Sequence, residues 1–388
     1  MLRRAGVSSM LQTTRRLFPL PSAGEGGPRS GSGEGSDLSG SVPPSPARSA
    51  GTLPRPKSGL PALGGCLRIS GRPEIRGGRA LLVLAGFVLS SPALAQEALV
   101  TAQLGNAVEI VDLASKKIVQ SIPVPGAPAG IALSPDRKTA YVTRPEGHGV
   151  SVIDLDARRV RASLDLPGGP LGIGVNPKSG EVYVADWYGT RVFVLRPDAD
   201  GLALEGEIAT GQSPSGIAVT PDGATLLVAN RESDSVSIVD VASRRETRRV
   251  AVGQHPFGLT LSADGATAYT ANVVSNDVSA VNVAAGRETG RVATGQRPYV
   301  IALAAGKGFV TDQYSNTVTV FDPATLKTLA AIDVGDHPEG IAATRDGKTV
   351  VVANWGDNGL SLIDPSSLTV TGKVETGDGP RSFGDFLR

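Results

Sequence analysis

His255, Arg297 and His337 recur at intervals of 42 and 40 residues, each standing directly before a proline. Such spacing sets three nitrogen-rich side chains at one structural position of three successive repeats. Arg144, Arg231 and Arg381 fall near the same kind of element, with the two tryptophans of the chain, Trp187 and Trp355, and with Tyr188, Tyr299 and Tyr314 close by. Guanidinium forks pair with carboxylates and phosphates, and indole and phenol rings stack on flat groups. The set therefore suits a small anionic, planar or conjugated ligand. Asp186, Asp312, Glu339 and Asp357 lie among these residues and argue against a plain polyanion track.

Other chemistries find less support. A zinc site takes three or four converging His, Cys, Asp or Glu ligands; here His255 and His337 are two repeats apart, with Glu339 and Asp312 as the nearby candidates. After residue 95 there is no cysteine, no G-x-S-x-G elbow, no phosphate-binding glycine loop and no H-E-x-x-H helix motif. Each candidate also admits a bland reading. Loops collect His and Arg, a Trp at a strand end can wedge between neighbouring sheets, and Pro-x-Gly serves a sharp turn.

The elements that carry these residues are repeats of one phrase, cleanest over residues 215–253: SGIAVTPDGATLLVANRESDSVSIVDVASRRETRRVAVG. Four short β-branched or alternating stretches, separated by turn formers, predict a four-stranded antiparallel meander with strands A to D. Its second strand recurs as ALVTA from Ala98, AYVTR from Ala140, VYVAD from Val182, LLVAN from Leu226, AYTAN from Ala268, GFVTD from Gly308 and VVVAN from Val350. A period near 42 residues with four strands per unit predicts an all-β, seven-bladed β-propeller. Residues after 95 begin with strands B, C and D of a blade that lacks its strand A, and the chain finishes on a strand-A phrase, GPRSFGDFLR. Ser382 to Leu387 is thus expected to complete the first blade, a one-plus-three closure that removes exposed edges. The aspartates that end strand C, at 112, 154, 240, 322 and 364, recur too regularly to be a site and are read as turn caps.

Strand order puts the D-to-A connections and the B-to-C loops on one face. An axial rim is expected there, built from Arg144, Trp187, Arg231, His255, Arg297, Tyr299, His337, Trp355 and Arg381.

Charge divides the chain into two materials. Through Ala95 there are 12 Lys and Arg against 4 Asp and Glu, a net +8; from Gln96 onward there are 26 against 33, a net −7. Residues 1–71 are rich in Gly, Ser, Pro and Arg and too poor in apolar residues to offset chain entropy, so a disordered extension or a mis-set start is expected. Residues 72–95 read as a signal peptide: Arg72, Arg76 and Arg79, then the apolar run ALLVLAGFVL, then Ala93-Leu94-Ala95 as the cleavage site. The apolar run is shorter than the roughly 20 residues of a membrane span. The expectation is a periplasmic or secreted 96–388 domain with no span after cleavage.

The phrases AYVTR, LLVANRESDSVSIVD and VVVANWGDNGLSLID, each followed by an element such as Val252-Gly253-Gln254-His255-Pro256-Phe257-Gly258, resemble the YVTN-family β-propeller repeat. The resemblance covers residues 96–388 and implies an exported seven-bladed ring similar to YncE-like periplasmic propellers. It extends more distantly to the d1-haem propeller of cytochrome cd1 nitrite reductases and to lactonase-type propellers. The leading expectation is a non-catalytic scaffold whose rim binds a small anionic or aromatic ligand or a periplasmic protein partner, with no cofactor. One alternative is a cofactor-binding or hydrolytic propeller, d1-haem-related through His255 or His337, or lactonase-like with a metal. Another is single-stranded nucleic acid binding, which a net −7 ranks lower.

Overall fold

Strands B and C of each repeat are apolar on both faces, which dictates how the repeats must stack. In the fourth repeat, strand B (Thr225–Asn230, TLLVAN) and strand C (Ser235–Asp240, SVSIVD) are buried almost throughout, while strand D (Arg245–Ala251, RETRRVA) is largely exposed. A sheet with two apolar faces needs a neighbour on each side, and identical units satisfy one another by stacking around an axis. The computed structural model describes residues 96–388; the expected extension at 1–71 and signal peptide at 72–95 lie outside the described residues. Those described residues form seven antiparallel sheets whose innermost strands meet in cyclic order, an all-β seven-bladed propeller. The core lies between blades, where clusters such as Tyr183, Val192, Val194, Leu226, Val228 and Val239 join the third blade to the fourth.

Turn chemistry repeats with the blades. In the fourth, Asp222 accepts from the Thr220 hydroxyl at 2.6 Å and from the Ala224 N–H at 3.0 Å, and Gly223 takes the positive φ of 76° that the turn needs. The aspartates that end strand C are caps: Asp240 accepts the Ser243 N–H at 2.8 Å and Asp364 the Ser366 N–H at 2.7 Å.

Ring closure is consistent with the one-plus-three expectation and differs from it in detail. The C-terminal segment lies along strand B of the first blade (Glu97–Ala102) through bridges Ala98–Leu387 and Ala102–Pro380. Leu99 N–H donates to Phe386 O at 2.8 Å and Arg381 N–H to Thr101 O at 3.0 Å. The only regular stretch within it is Phe383–Gly384, which pairs in parallel with Gly130 and Ile131 of the second blade. Positive φ values of 36° at Ser382 and 111° at Gly384 break the ladder here. Side chains substitute for it: the Thr101 N–H donates to Ser382 Oγ at 2.7 Å and the Ser382 N–H to Thr101 Oγ at 2.7 Å.

Crowding at the axis explains the Pro-x-Gly element that opens strand A. A Cβ on Gly172 would fall 1.6 Å from the carbonyl oxygen of Ser215 in the next blade, and one on Gly216 2.3 Å from that of Phe257. No side chain fits between strands that pack this closely.

Two outcomes test this architecture. Removing residues 382–388 leaves the first blade with an open inner edge, and the expected result is loss of the cooperative unfolding transition; an unchanged melting temperature refutes the closure. Gly172→Ala is expected to cost about 3 kcal/mol in chemical denaturation, as overpacking against backbone. Gly180→Ala, with φ of 78° and open space around its Cβ, costs about 1 kcal/mol from its backbone alone.

Candidate functional site

The residue before six of the seven strand-A prolines is held in a left-handed turn by the blade behind it. The φ values are 53° at His255, 55° at Arg297 and 49° at His337, with 56° at Ala127 and 51° at Ser213. Their N–H groups donate to the side chain that ends a B-to-C loop: His255 to Asp234 Oδ1 at 2.7 Å, Arg297 to Asn276 Oδ1 at 2.8 Å, His337 to Asn316 Oδ1 at 3.0 Å. Ala127 makes the same bond to Asn106 at 3.0 Å. This clamp is scaffold, and it sets the two kinds of loop side by side on one face. His148 occupies the Asn position of the second blade, where its Nδ1 lies 2.8 Å from Gly168 O.

Arg144 sits one residue earlier in its repeat than the other rim candidates. It ends strand B and pairs with Gly149, as Asn230 pairs with Ser235 and Asp312 with Thr317. It therefore stands where other blades carry Asn or Asp, and its guanidinium lies 3.4 Å from Asp165. The 42-residue step from Gln103 reaches Pro145 rather than Arg144, so the shift is present in the sequence. Asp186 fills the same position in the third blade, accepting from the Gly169 N–H at 3.0 Å and from Arg191 at 3.0 Å.

The remaining candidates converge on the axis. The residues that follow each strand-A proline form an inner ring: Ala129, Leu171, Ser215, Phe257, Tyr299, Glu339 and Arg381. Three adjacent members are polar and joined. Arg381 Nε and Glu339 Oε2 form an ion pair at 2.7 Å, Arg381 Nη2 donates to the Tyr299 hydroxyl at 2.6 Å, and Arg381 Nη1 donates to Gln103 Oε1 at 3.2 Å. Gln313 Nε2 donates to Glu339 Oε1 at 2.7 Å, and Gln313 Oε1 has no partner among the described residues. Glu339, Tyr299, Gln313 and Gln103 are all buried. Burial pushes the Glu339 carboxyl up while Arg381 pulls it back. Burial opposes charge on Arg381, but Glu339 and Tyr299 outweigh it and keep the guanidinium protonated. Burial also pushes the Tyr299 phenol up to about 12.

Aromatic rings wall this floor. Tyr299 stacks on Phe257 at 4.1 Å, Phe257 meets Phe383 edge-on at 5.5 Å and Trp187 at 5.9 Å, and Arg231 lies over the Trp187 ring at 5.3 Å. On the other side Arg297 lies over Tyr314 at 4.6 Å, and His337 touches the edges of Tyr314 and Trp355. His337 Nδ1 also lies 2.9 Å from Asp336, and His255 Nε2 is 3.8 Å from Glu232. Below Phe257 and Phe383 the axial channel, of about 400 Å³, runs between the A strands toward the opposite face.

Thus Trp187, Arg231, Tyr299 and Arg381 are linked through the inner ring, Arg297, His337 and Trp355 gather about Tyr314, His255 lies by Glu232, and Arg144 stands apart. Gln103 and Gln313 stand at the strand-B ends expected to face the axis; Phe257 lies outside the expected rim and Glu339 among its counter-charges, and the position after the strand-A proline is the signal that finds both. Among the described residues no three His, Cys, Asp or Glu side chains gather as a metal-binding group. His337 is already engaged by Asp336 and two aromatic edges. The described residues do not fit a metal centre.

A family model for the lactonase seven-bladed β-propeller matches residues 202–302, from strand D of the third blade to strand A of the sixth. No curated protein sequence matches the chain. Solved structures with the same fold include hydrazine synthase of Kuenenia stuttgartiensis, with 21% identity over 66% of this chain and 89% of that one and a TM-score of 0.59. A putative 6-phosphogluconolactonase from Bacteroides fragilis has 18% identity over 76% of this chain and 97% of that one, TM-score 0.64. The dihydro-haem d1 dehydrogenase NirN has 16% identity over 73% of this chain and 74% of that one, TM-score 0.56. Likeness at these identities establishes the fold; function rests on the site.

One scaffold position is testable by pH. Asp312 replaces the Asn that ends strand B at 230, 272 and 354, and accepts from Thr319 Oγ at 2.6 Å and Thr317 Oγ at 2.9 Å. Burial, opposed by those hydroxyls, raises its pKa from 3.8 to about 6. An acid raised on folding contributes stability that is full below about pH 4 and lost as pH climbs through 6. Asp312→Asn is therefore expected to flatten the melting profile between pH 4 and 7 and to stabilise the protein above pH 7, by at most about 3 kcal/mol. An unchanged profile would show that Asp312 does not titrate in this window.

Proposed function

We propose that this propeller is an exported binding protein of the YVTN type that captures a small anionic, flat ligand, or the matching side chain of a protein partner, in the mouth above Tyr299, Arg381 and Glu339. One observation carries the reading: a buried ion pair with its hydrogen-bonded neighbours at ring positions where other blades carry Ala129, Leu171, Ser215 and Phe257. Those four blades show that the scaffold closes without charge there. Burying an ion pair costs several kcal/mol of desolvation per ion that an apolar replacement avoids, so a polar floor under an aromatic wall is explained by recognition better than by folding. Trp187 under Arg231, which also pairs with Glu232, and Tyr314 under Arg297 add walls of guanidinium and aromatic groups. The signal-like segment at 72–95 supports export.

The match to the lactonase model over residues 202–302 favours a second reading, hydrolysis of a cyclic ester at the same mouth. Here Tyr299, Arg381 and Glu339 would orient the ring and its carbonyl.

Isothermal titration against a panel of aromatic and aliphatic carboxylates, beside the Arg231→Gln/Arg297→Gln double variant, tests binding. The expected result is micromolar to millimolar affinity for flat acids, weakened at least about tenfold, roughly 1.4 kcal/mol, in the variant. Equal affinity in both proteins removes the mouth as the site. Turnover of a lactone by the wild type would replace the binding reading with the hydrolytic one. Affinity for single-stranded DNA that falls steeply with salt would point to phosphate contacts instead.

A further inference from the structure

The floor of the mouth is neutral as a unit, because the charge of Arg381 is matched by Glu339 at 2.7 Å. A carboxylate placed there would lack a cation of its own and would be desolvated without compensation. What the floor does offer is uncommitted hydrogen bonding of both senses. Gln313 is 1% exposed; its Nε2 is spent on Glu339, and its Oε1 accepts from nothing among the described residues. A buried acceptor left this way costs about 1–3 kcal/mol. The Tyr299 oxygen already accepts from Arg381 Nη2, and the phenol keeps its own proton, which burial secures. Of the five N–H bonds of Arg381, those facing Glu339, Gln103 and Tyr299 are engaged, which leaves two. The floor thus accepts one hydrogen bond and donates others, which is the complement of a hydroxyl group. Other cations lie higher, Arg231 on Trp187, where it also pairs with the exposed Glu232, and Arg297 on Tyr314.

Resting on the reading of the mouth as a ligand site, we infer that the ligand enters hydroxyl-first. It is a flat hydroxy-acid whose hydroxyl donates to Gln313 Oε1 and accepts from Tyr299 or Arg381, while its carboxylate stays at the rim with Arg231. The ring between the two ends lies against Trp187 and Phe257, which meet edge-on at 5.9 Å. Gln313 and Tyr299 then select the hydroxyl, and Arg231 selects the acid.

Calorimetric titration of the full chain with two pairs of probes, benzoate with 4-hydroxybenzoate and cinnamate with 4-hydroxycinnamate, tests this on the wild-type protein. The pairs differ in length, and within each pair only the hydroxyl changes. In at least one pair the hydroxylated member is expected to bind about tenfold tighter, since a site with a waiting buried partner penalises the analogue that lacks the group. Gln313→Met and Tyr299→Phe should each bring that ratio to about 1; melting temperatures report whether each variant folds. Equal affinities within both pairs overturn the hydroxyl-first assignment even if the mouth binds acids and loses them in Arg231→Gln. Failure of all four acids to bind overturns both the assignment and the reading it rests on.

Discussion

In five of the seven blades the innermost strand meets its neighbour around the axis so closely that a single methyl group does not fit between them. At Gly172 the gap to the next blade leaves 1.6 Å for a Cβ, and at Gly258 and Gly340 it leaves 2.4 and 2.2 Å. The rest of the structure follows from that approach. Glycine at the third position of Pro-x-Gly admits the neighbour's backbone, the proline starts the strand, and the residue before it turns left-handed so that the chain can descend from the outer strand to the axis. Asparagine or aspartate at the end of the B-to-C loop then secures that turn through its N–H. Close packing of backbone around the axis leaves the intervening residue of each Pro-x-Gly with one place to go, inward to the mouth.

That geometry turns one position in the repeat into a ring of seven side chains, and the ring divides the labour. Ala129, Leu171, Ser215 and Phe257 are what a ring needs in order to close. Tyr299, Glu339 and Arg381 are more than it needs. Two of the three blades that carry them also depart from Pro-x-Gly: Val300 and Ser382 stand in place of the glycine. In the last case Ser382 exchanges hydrogen bonds with Thr101, so the polar sector of the mouth coincides with the seam where the C-terminal segment meets the first blade. The closure of the ring and the most chemically distinctive part of its mouth are one construction.

The charges show the same separation of scaffold from site. Aspartates at strand ends and turns are held ionised by short bonds to backbone N–H and hydroxyl groups, and they recur blade after blade. Glu339 is buried and non-recurrent, and burial raises rather than lowers its pKa. Asp312 is the intermediate case, a recurrent position with a raised pKa, explained by its replacing asparagine. Periodicity thus distinguishes a carboxylate that supports a turn from one that stands alone in the inner ring.

The repeat alone determined the strands, the blade number, the shared face of the two loop types and the scaffold role of the strand-C aspartates. Each of these is a local pattern or a count, and local patterns survive in one dimension because hydrogen-bonded turns and buried stripes act over a few residues. The same counting brought Trp187, Arg231, His255, Arg297, Tyr299, His337, Trp355 and Arg381 to one rim, and a one-residue slip in it misplaced Arg144. Only the tertiary structure decided which rim residues touch. Arg381 meets Gln103 across 278 residues of chain, Tyr299 across 82 and Glu339 through an ion pair, and Gln313 enters because its amide reaches Glu339 from the neighbouring blade. Such partners occupy variable positions of different repeats, so no period relates them. What brings them together is the closing of the ring, and the axis it creates is absent from any single blade.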